Sequence, residues 1–257
     1  MAAFDLPYSI PLGKRVKILD VHPVGLVALE KPEGILSTPN TPSDIRKTLV
    51  RAKFNKKKEA YVWFDSSDGP QQQRYFYICH RLDSPTSGIL LGTIDEELAV
   101  EIRRLFKTRE IHKEYIAVVK GAPVSKSGEW TDHLQRTKQQ NRLLVKVAPK
   151  GDIAITSWSV LKRTQQPPLS MLSLKPATGR THQLRVQSGS RNHGILGDQT
   201  YGDFKLNNRL KKEKGISRLF LHAHRITIET RDLLGSPFHY SAESPLPVAF
   251  TQLFDIG

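Results

Sequence analysis

Short runs of strand-forming residues, each bounded by turn residues, leave this chain few ways to fold. They fall at 16–19, 26–30, 75–79, 88–94, 115–120, 143–147, 153–161, 171–175 and 219–228, and are rich in Val, Ile, Leu, Tyr and Phe. Helical periodicity is scarce. One helix is predicted over 95–107, where Leu98, Ile102, Leu105 and Phe106 share an apolar face and Arg103, Arg104 and Lys107 lie opposite or beside it. A second helix is predicted just after Gly179. Two polar stretches read as loops: 51–73, with Lys56-Lys57-Lys58 and Asp65-Ser66-Ser67-Asp68-Gly69-Pro70, and 207–217, with Lys211, Lys212 and Lys214. There is no internal repeat. The pattern predicts an α+β domain built on a largely antiparallel sheet.

Charge narrows the partners. The 257 residues include 39 Lys and Arg against 25 Asp and Glu, a net charge of +14, which favours a polyanion. Anionic membrane would also attract such a chain, but no apolar run approaches the roughly 20 residues of a spanning helix. The opening Met1-Ala2-Ala3-Phe4-Asp5-Leu6-Pro7-Tyr8 lacks the basic start and apolar stretch of a secretory signal. Nucleic acid in the cytoplasm is the expected setting. The lone Cys79 has no disulfide partner and sits in the apolar run Tyr75-Phe76-Tyr77-Ile78-Cys79, so it reads as core packing. His222 and His224 alternate along a strand without a third ligand, and no metal or redox role is expected.

Three constellations carry chemistry. Asp83 follows a predicted strand and precedes Ser84-Pro85-Thr86-Ser87-Gly88, a turn-forming string that sets its carboxylate at a strand end. The local sequence favours a plainer reading, in which Asp83 caps the turn by accepting backbone N–H groups. Lys113, Tyr115 and Ala117 share one face of a predicted strand, where a tyrosine more often packs than binds. In Thr178-Gly179-Arg180-Thr181-His182-Gln183-Leu184-Arg185 the Thr-Gly pair breaks a strand, and cations and backbone amides then converge at a helix start, a setting for anions. Gly194-Ile195-Leu196-Gly197-Asp198-Gln199-Thr200-Tyr201-Gly202 reads as a tight, structural loop.

Taken together and in order, these runs resemble the RluA branch of the RluA/RsuA superfamily of RNA pseudouridine synthases. The likeness starts at Leu29-Glu30-Lys31-Pro32-Glu33-Gly34 and continues through His80-Arg81-Leu82-Asp83, Lys113-x-Tyr115, the Thr178 to Arg185 motif, Ile195-Leu196-Gly197-Asp198 and Leu221-His222-Ala223, covering most of 25–245. It implies a mixed, largely antiparallel sheet in two lobes around a central active-site cleft, with no cofactor. It implies an N-terminal extension over 1–24 and a catalytic domain over 25–257, without the S4 RNA-binding domain of some relatives. Asp83 matches the family's essential aspartate, Arg180 the arginine paired to it, and Tyr115 the aromatic that stacks on the target uracil. Arg81 matches a residue that fills the gap left by a flipped nucleotide; Lys113, Thr181, His182, Leu184 and Arg185 are expected to contact substrate. Gln187, where the family often has His, and Asn192-His193-Gly194, where Gly-His-Pro is common, depart from the pattern.

The implied reaction breaks the uridine N1 glycosidic bond, turns the base and rejoins it through C5. Asp83 would attack the ribose C1′ or remove the C2′ proton, and both routes need its ionised form, which Arg180 would favour. A base inside a helix must first be extruded, at a cost of about a few kcal/mol, partly offset by stacking on an aromatic at roughly 1 to 3 kcal/mol. The expected substrate is structured RNA, ribosomal or transfer, met by a monomer that grips it through basic loops near Lys57 and Lys212. Two rivals remain at this stage. A catalytically silent RNA-binding protein would be expected to have lost the Asp, Tyr and Arg set, and a nucleoside hydrolase would want a second carboxylate beside Asp83.

Overall fold

The computed structural model describes residues 6, 8–66, 69–139, 142–231 and 237–254. The opening residues 1–5 and Pro7, and Ser67 and Asp68 of the expected loop, lie outside the described residues. In chain order the elements are β1 Lys17–Val21, β2 Leu26–Lys31, β3 Lys53–Asn55, β4 Ala60–Asp65, β5 Gln72–Ile78, β6 Ser87–Thr93, α1 Glu96–Thr108, β7 Ile111–Lys120, β8 Ser127–Gln139 and β9 Arg142–Val147. They continue with β10 Asp152–Gln165, β11 Pro168–Pro176, α2 Gln183–Gly189, α3 Phe204–Lys214, β12 Leu221–Arg231, β13 Pro237–Glu243 and α4 Val248–Gln252. Strands dominate, and the α+β class with its largely antiparallel sheet is as expected.

The chain divides into two compact units, one of Met1–Ile111 with Arg225–Ser244, the other of His112–His224 with Pro245–Gly257. In the first unit β2 pairs antiparallel with both β1 and β6, and β6, β5, β4 and β3 follow edge to edge. Strand period explains the apolar run of β2. Val27 and Leu29 face a core with Leu49, Val50, Tyr61, Phe76 and Leu90, while Leu26 and Ala28 face a second with Ile89, Leu91, Ile102, Leu105 and Tyr240. A strand buried on both faces has no polar side to show. Helix α1 closes the second core through Ala99, Ile102 and Leu105, and Asp95 caps it by accepting the Leu98 N–H at 2.8 Å.

In the second unit β7 pairs with β11, β11 with β10, β10 with β8 and β8 with β9, all antiparallel. Its core gathers Val118, Leu172, Leu174, Leu184, Ile195, Phe220 and Phe250.

Two expectations are corrected. The stretch 51–73 is not a loop: β3 and β4 form a hairpin inside it, and β5 opens at its end. Its aromatic run Tyr61-Val62-Trp63-Phe64 is a strand, with Tyr61 fully buried and Phe64 on the outer side. Nor is 207–217 a loop. Asp203 caps α3 by accepting the Leu206 N–H at 2.9 Å, Leu210 is buried, and Gly215 ends the helix at φ 66°. Lys211 and Lys212 are thus helical. Strands β8 and β13, and the short α4, had no sequence-based expectation. Among the described residues no helix is long and apolar enough to cross a membrane.

Candidate active site

Asp83 lies in the connection between β5 and β6, and the residues on both sides of it are tied down. Leu82 is held at both backbone polar groups by one hydroxyl: Ser37 Oγ accepts the Leu82 N–H at 3.0 Å and donates to the Leu82 carbonyl at 2.9 Å. Tyr61, fully buried, in turn donates to the Ser37 carbonyl at 2.9 Å. On the other side the Ser84 carbonyl accepts the Gly34 N–H at 2.8 Å and the Lys31 ammonium at 3.0 Å. Lys31 is wholly buried and also donates to the carbonyls of Pro32 and Ile35 at 3.0 and 2.8 Å. A buried ammonium costs several kcal/mol to desolvate, and charged hydrogen bonds of about 1.5 to 3 kcal/mol each offset it. The turn closes with the Thr86 N–H on the Asp83 carbonyl at 3.0 Å. Asp83 is half-buried and Arg81 exposed. His80 is scaffold: its Nε2 accepts the Leu91 N–H at 3.0 Å and its ring lies 4.5 Å from that of Phe106.

Cys79, next along the same run, is buried as expected, and desolvation pushes its thiol up to about 12. Thiolate chemistry is closed to it near neutral pH.

In the second unit, Lys113 and Tyr115 lie half-buried on β7, with Tyr115 opposite Leu174 of β11. The Lys113 Nζ stands 3.8 Å from the place a Cβ on Gly179 would take, so β7 and the Thr178–Arg180 turn meet. Gln183 shapes that turn. Its Oε1 accepts from Thr178 Oγ1 at 2.8 Å and from the Arg180 N–H at 3.0 Å, while its Nε2 donates to the Ile155 carbonyl and to Thr156 Oγ1 at 3.0 and 2.9 Å. Arg180 is half-buried and donates through Nε to the Ile153 carbonyl at 3.1 Å. It precedes α2 rather than opening it, because the N-cap is His182.

His182 adopts a left-handed backbone, φ 54°, which a side chain with a Cβ enters at some cost. Its Nδ1 meets the Tyr201 hydroxyl at 2.8 Å, and that oxygen also accepts the Val145 N–H at 3.0 Å. Thr181 is half-buried and Leu184 lies in the core. Arg185 is 7% exposed and holds Asp198, 0% exposed, in a bidentate pair at 2.8 and 2.9 Å. Burial pushes the Asp198 carboxyl upward, but Arg185 and the N–H groups of Thr200 and Tyr201 outweigh it and hold the group below the ordinary carboxylate range. Gln187 anchors α2, its Oε1 accepting from Thr156 Oγ1 at 2.7 Å and its Nε2 donating to Asp132 Oδ2 at 2.8 Å. Ser37, Tyr61 and Gln187 had no scaffold role in the sequence reading, because a residue that fixes another's backbone carries no periodicity of its own.

The arrangement is two rigid, hydrogen-bonded turns, each offering polar groups at half-exposed positions. Comparison with known proteins settles what kind of chain builds them. The model of the RNA pseudouridylate synthase family matches residues 25–190. The chain belongs to that family. Family members isomerise uridine to pseudouridine in RNA. It is 31% identical over 213 residues to tRNA pseudouridine synthase C of Haemophilus ducreyi, covering 77% of this chain and 79% of that one. It is 33% identical over 166 residues to ribosomal large subunit pseudouridine synthase C of the same organism, covering 62% of this chain and 49% of the relative, so it spans about half the length of that protein. A third relative, ribosomal large subunit pseudouridine synthase D of Borreliella burgdorferi, is 33% identical over 204 residues, covering 79% of this chain and 58% of that one. These relatives bear out the RluA branch. In fold the chain resembles human RNA pseudouridylate synthase domain containing 4, with a TM-score of 0.65, 23% identity and coverage of 93% and 91% of the two chains.

Proposed function

We propose that this synthase converts specific uridines of structured ribosomal or transfer RNA to pseudouridine in the cytoplasm, acting as a monomer over a catalytic domain of 25–257. Asp83 is the catalytic carboxylate, attacking C1′ or taking the C2′ proton of the target ribose. Arg180 holds that carboxylate ionised, Tyr115 stacks on the detached uracil, and Arg81 fills the vacancy left in the RNA. Lys113, Thr181 and His182 contact substrate, with Leu184 and Arg185 supporting them from the core. The scheme asks for no cofactor or metal.

The observation that carries this reading is the anchoring of Leu82 and Ser84, which leaves Asp83 half-buried between two fixed neighbours. A carboxylate that serves in turn as nucleophile and leaving group, or as base and then acid, must keep one position while the uracil rotates. Asp83→Asn tests it. The variant should form no pseudouridine, scored by carbodiimide primer extension on unmodified ribosomal and transfer RNA transcripts, with circular dichroism and RNA affinity unchanged. Turnover by the variant on any RNA that the wild-type enzyme modifies would sink the assignment. Pseudouridine mapping across the RNAs of a strain lacking this gene identifies the uridine.

A further inference from the structure

Beside the Asp83 turn, within the first unit, lies a cavity of about 150 Å³ lined by Thr38, Phe54, Glu59, Cys79, His80 and Arg81. Its size decides what it can hold. It is well below the roughly 300 to 1,000 Å³ of pockets that enclose a drug-sized ligand. One planar heterocycle fits.

The walls are chemically mixed and held in place. Phe54 is half-buried, its ring edge-on to Tyr61 with centroids 5.1 Å apart. Glu59 has a left-handed backbone at φ 51°, a strained state for a residue with a Cβ. Arg103 of α1 fixes it there. The Arg103 guanidinium donates to the carbonyls of Ile78 and Glu59 at 2.9 and 3.1 Å and stands 3.3 Å from the Glu59 carboxylate. Outside the cavity, the β3–β4 hairpin carries exposed Lys53, Lys56 and Lys57, and Asn55 Oδ1 shapes its turn by accepting the Lys57 and Lys58 N–H groups at 3.0 and 3.1 Å. An aromatic ring, a hydroxyl, a carboxylate acceptor and a guanidinium, with exposed lysines on the same hairpin, suit a base whose strand continues past cations.

Resting on the proposed function, we propose that this cavity binds the nucleobase next to the target uridine in the RNA chain. Phe54 gives the base its stacking surface. Glu59 accepts from an amino or ring N–H of the base. The hairpin lysines take the adjoining phosphates. Arg81, two residues from Asp83, joins this subsite to the reacting one through the chain.

The test uses the full chain and unmodified ribosomal and transfer RNA transcripts. Phe54→Leu keeps an apolar side chain but removes the ring face, and Thr38→Val changes the wall without touching the core aromatics. On a modified transcript, Phe54→Leu should lower kcat/KM about five- to a hundred-and-fiftyfold, the range for one base stacked on an aromatic ring, mostly through KM. An abasic site at one of the two nucleotides flanking the uridine should cost the wild type a similar factor and cost Phe54→Leu nothing further. Losses that multiply, or abasic sites without effect, overturn the subsite while leaving the synthase activity standing. Should the wild type modify no transcript, the proposed function fails, and ultraviolet cross-linking decides the subsite alone. An RNA adduct on the Phe54 peptide sustains it and none overturns it.

Discussion

Arg185→Met isolates the buried pair that holds the second turn. Arg185 gives the Asp198 carboxylate two hydrogen bonds, and the Thr200 and Tyr201 N–H groups add theirs at 2.8 and 3.1 Å. Methionine fills much of the volume but leaves a carboxylate of 0% exposure without its cation. Breaking such a pair costs about 3 to 5 kcal/mol, and at roughly 2 to 4 °C per kcal/mol for a chain of this size the melting temperature should fall by about 6 to 20 °C. The pH dependence separates charge from packing. In the wild type the folded-state value of Asp198 is lowered, so its stabilisation is present above the unfolded value and is lost only as the pH falls through the folded one. In the variant, burial is opposed by the Thr200 and Tyr201 N–H groups without the Arg185 cation, so the carboxyl titrates higher than in the wild type and the folded state takes up its proton earlier as the pH falls. The deficit against the wild type, measured by thermal or urea unfolding, should therefore shrink as the pH falls from neutral into the acid range. A deficit below about 1 kcal/mol at neutral pH, or one unchanged in mild acid, would refute the charge-pair argument.

Other perturbations have equally definite outcomes. Cys79, buried and with its thiol pushed up to about 12, should resist iodoacetamide in the native protein at pH 8 and react fully in denaturant; fast native labelling would contradict the burial. Gly197 has φ 76° and a Cβ there would run into the Arg218 carbonyl oxygen, so Gly197→Ala should cost at least about 2 kcal/mol in urea unfolding, whereas a near-neutral change would show that the loop relaxes. Replacing Lys56 and Lys57 by alanine should weaken RNA binding and flatten the slope of log affinity against log salt by about one to two, while an unchanged slope would take the hairpin off the RNA.

Much of the strand inventory was legible because burial writes itself into residue type, and β2 and β6, buried on both faces, read as short unbroken apolar runs. The failures share a cause. In α3 the lysines Lys211 and Lys212 drew the reading toward a solvated loop, although Asp203, Leu206, Leu210 and Gly215 bracket the helix with a cap, an apolar i, i+4 pair and a terminating glycine. In β8 only Trp130 and Leu134 mark the buried face of a strand 13 residues long, too few to stand out among its polar neighbours. The β3–β4 hairpin hid behind its lysines, since Asn55 makes the turn with a side chain rather than with glycine. Charge on one face of an element says little about what the other face buries.

The candidate site divides its labour in a way that bears on how motif matches are weighed. Around Asp83, Lys31, Ser37 and Tyr61 are buried and spend hydrogen bonds on main-chain carbonyls and N–H groups. Around Arg180, Gln183 bonds the Arg180 N–H and the Ile155 carbonyl, Gln187 the Trp130 and Ala154 carbonyls, and Arg185 holds the Asp198 carboxylate. Asp83, Tyr115 and Arg180 stand half-exposed, and Arg81 is exposed. A sequence resemblance over these motifs is therefore carried in good part by scaffold, whose geometry tolerates little change because each unpaired buried group costs about 1 to 3 kcal/mol. A protein that had lost catalysis but kept the turns would match nearly as well. What separates an enzyme from such a relic is the few outward groups, which on the proposed reading are Asp83, Arg81, Tyr115 and Arg180. For this reason Asp83→Asn, which spares every scaffold bond named above, is the decisive substitution, and its effect on turnover should far exceed its effect on stability.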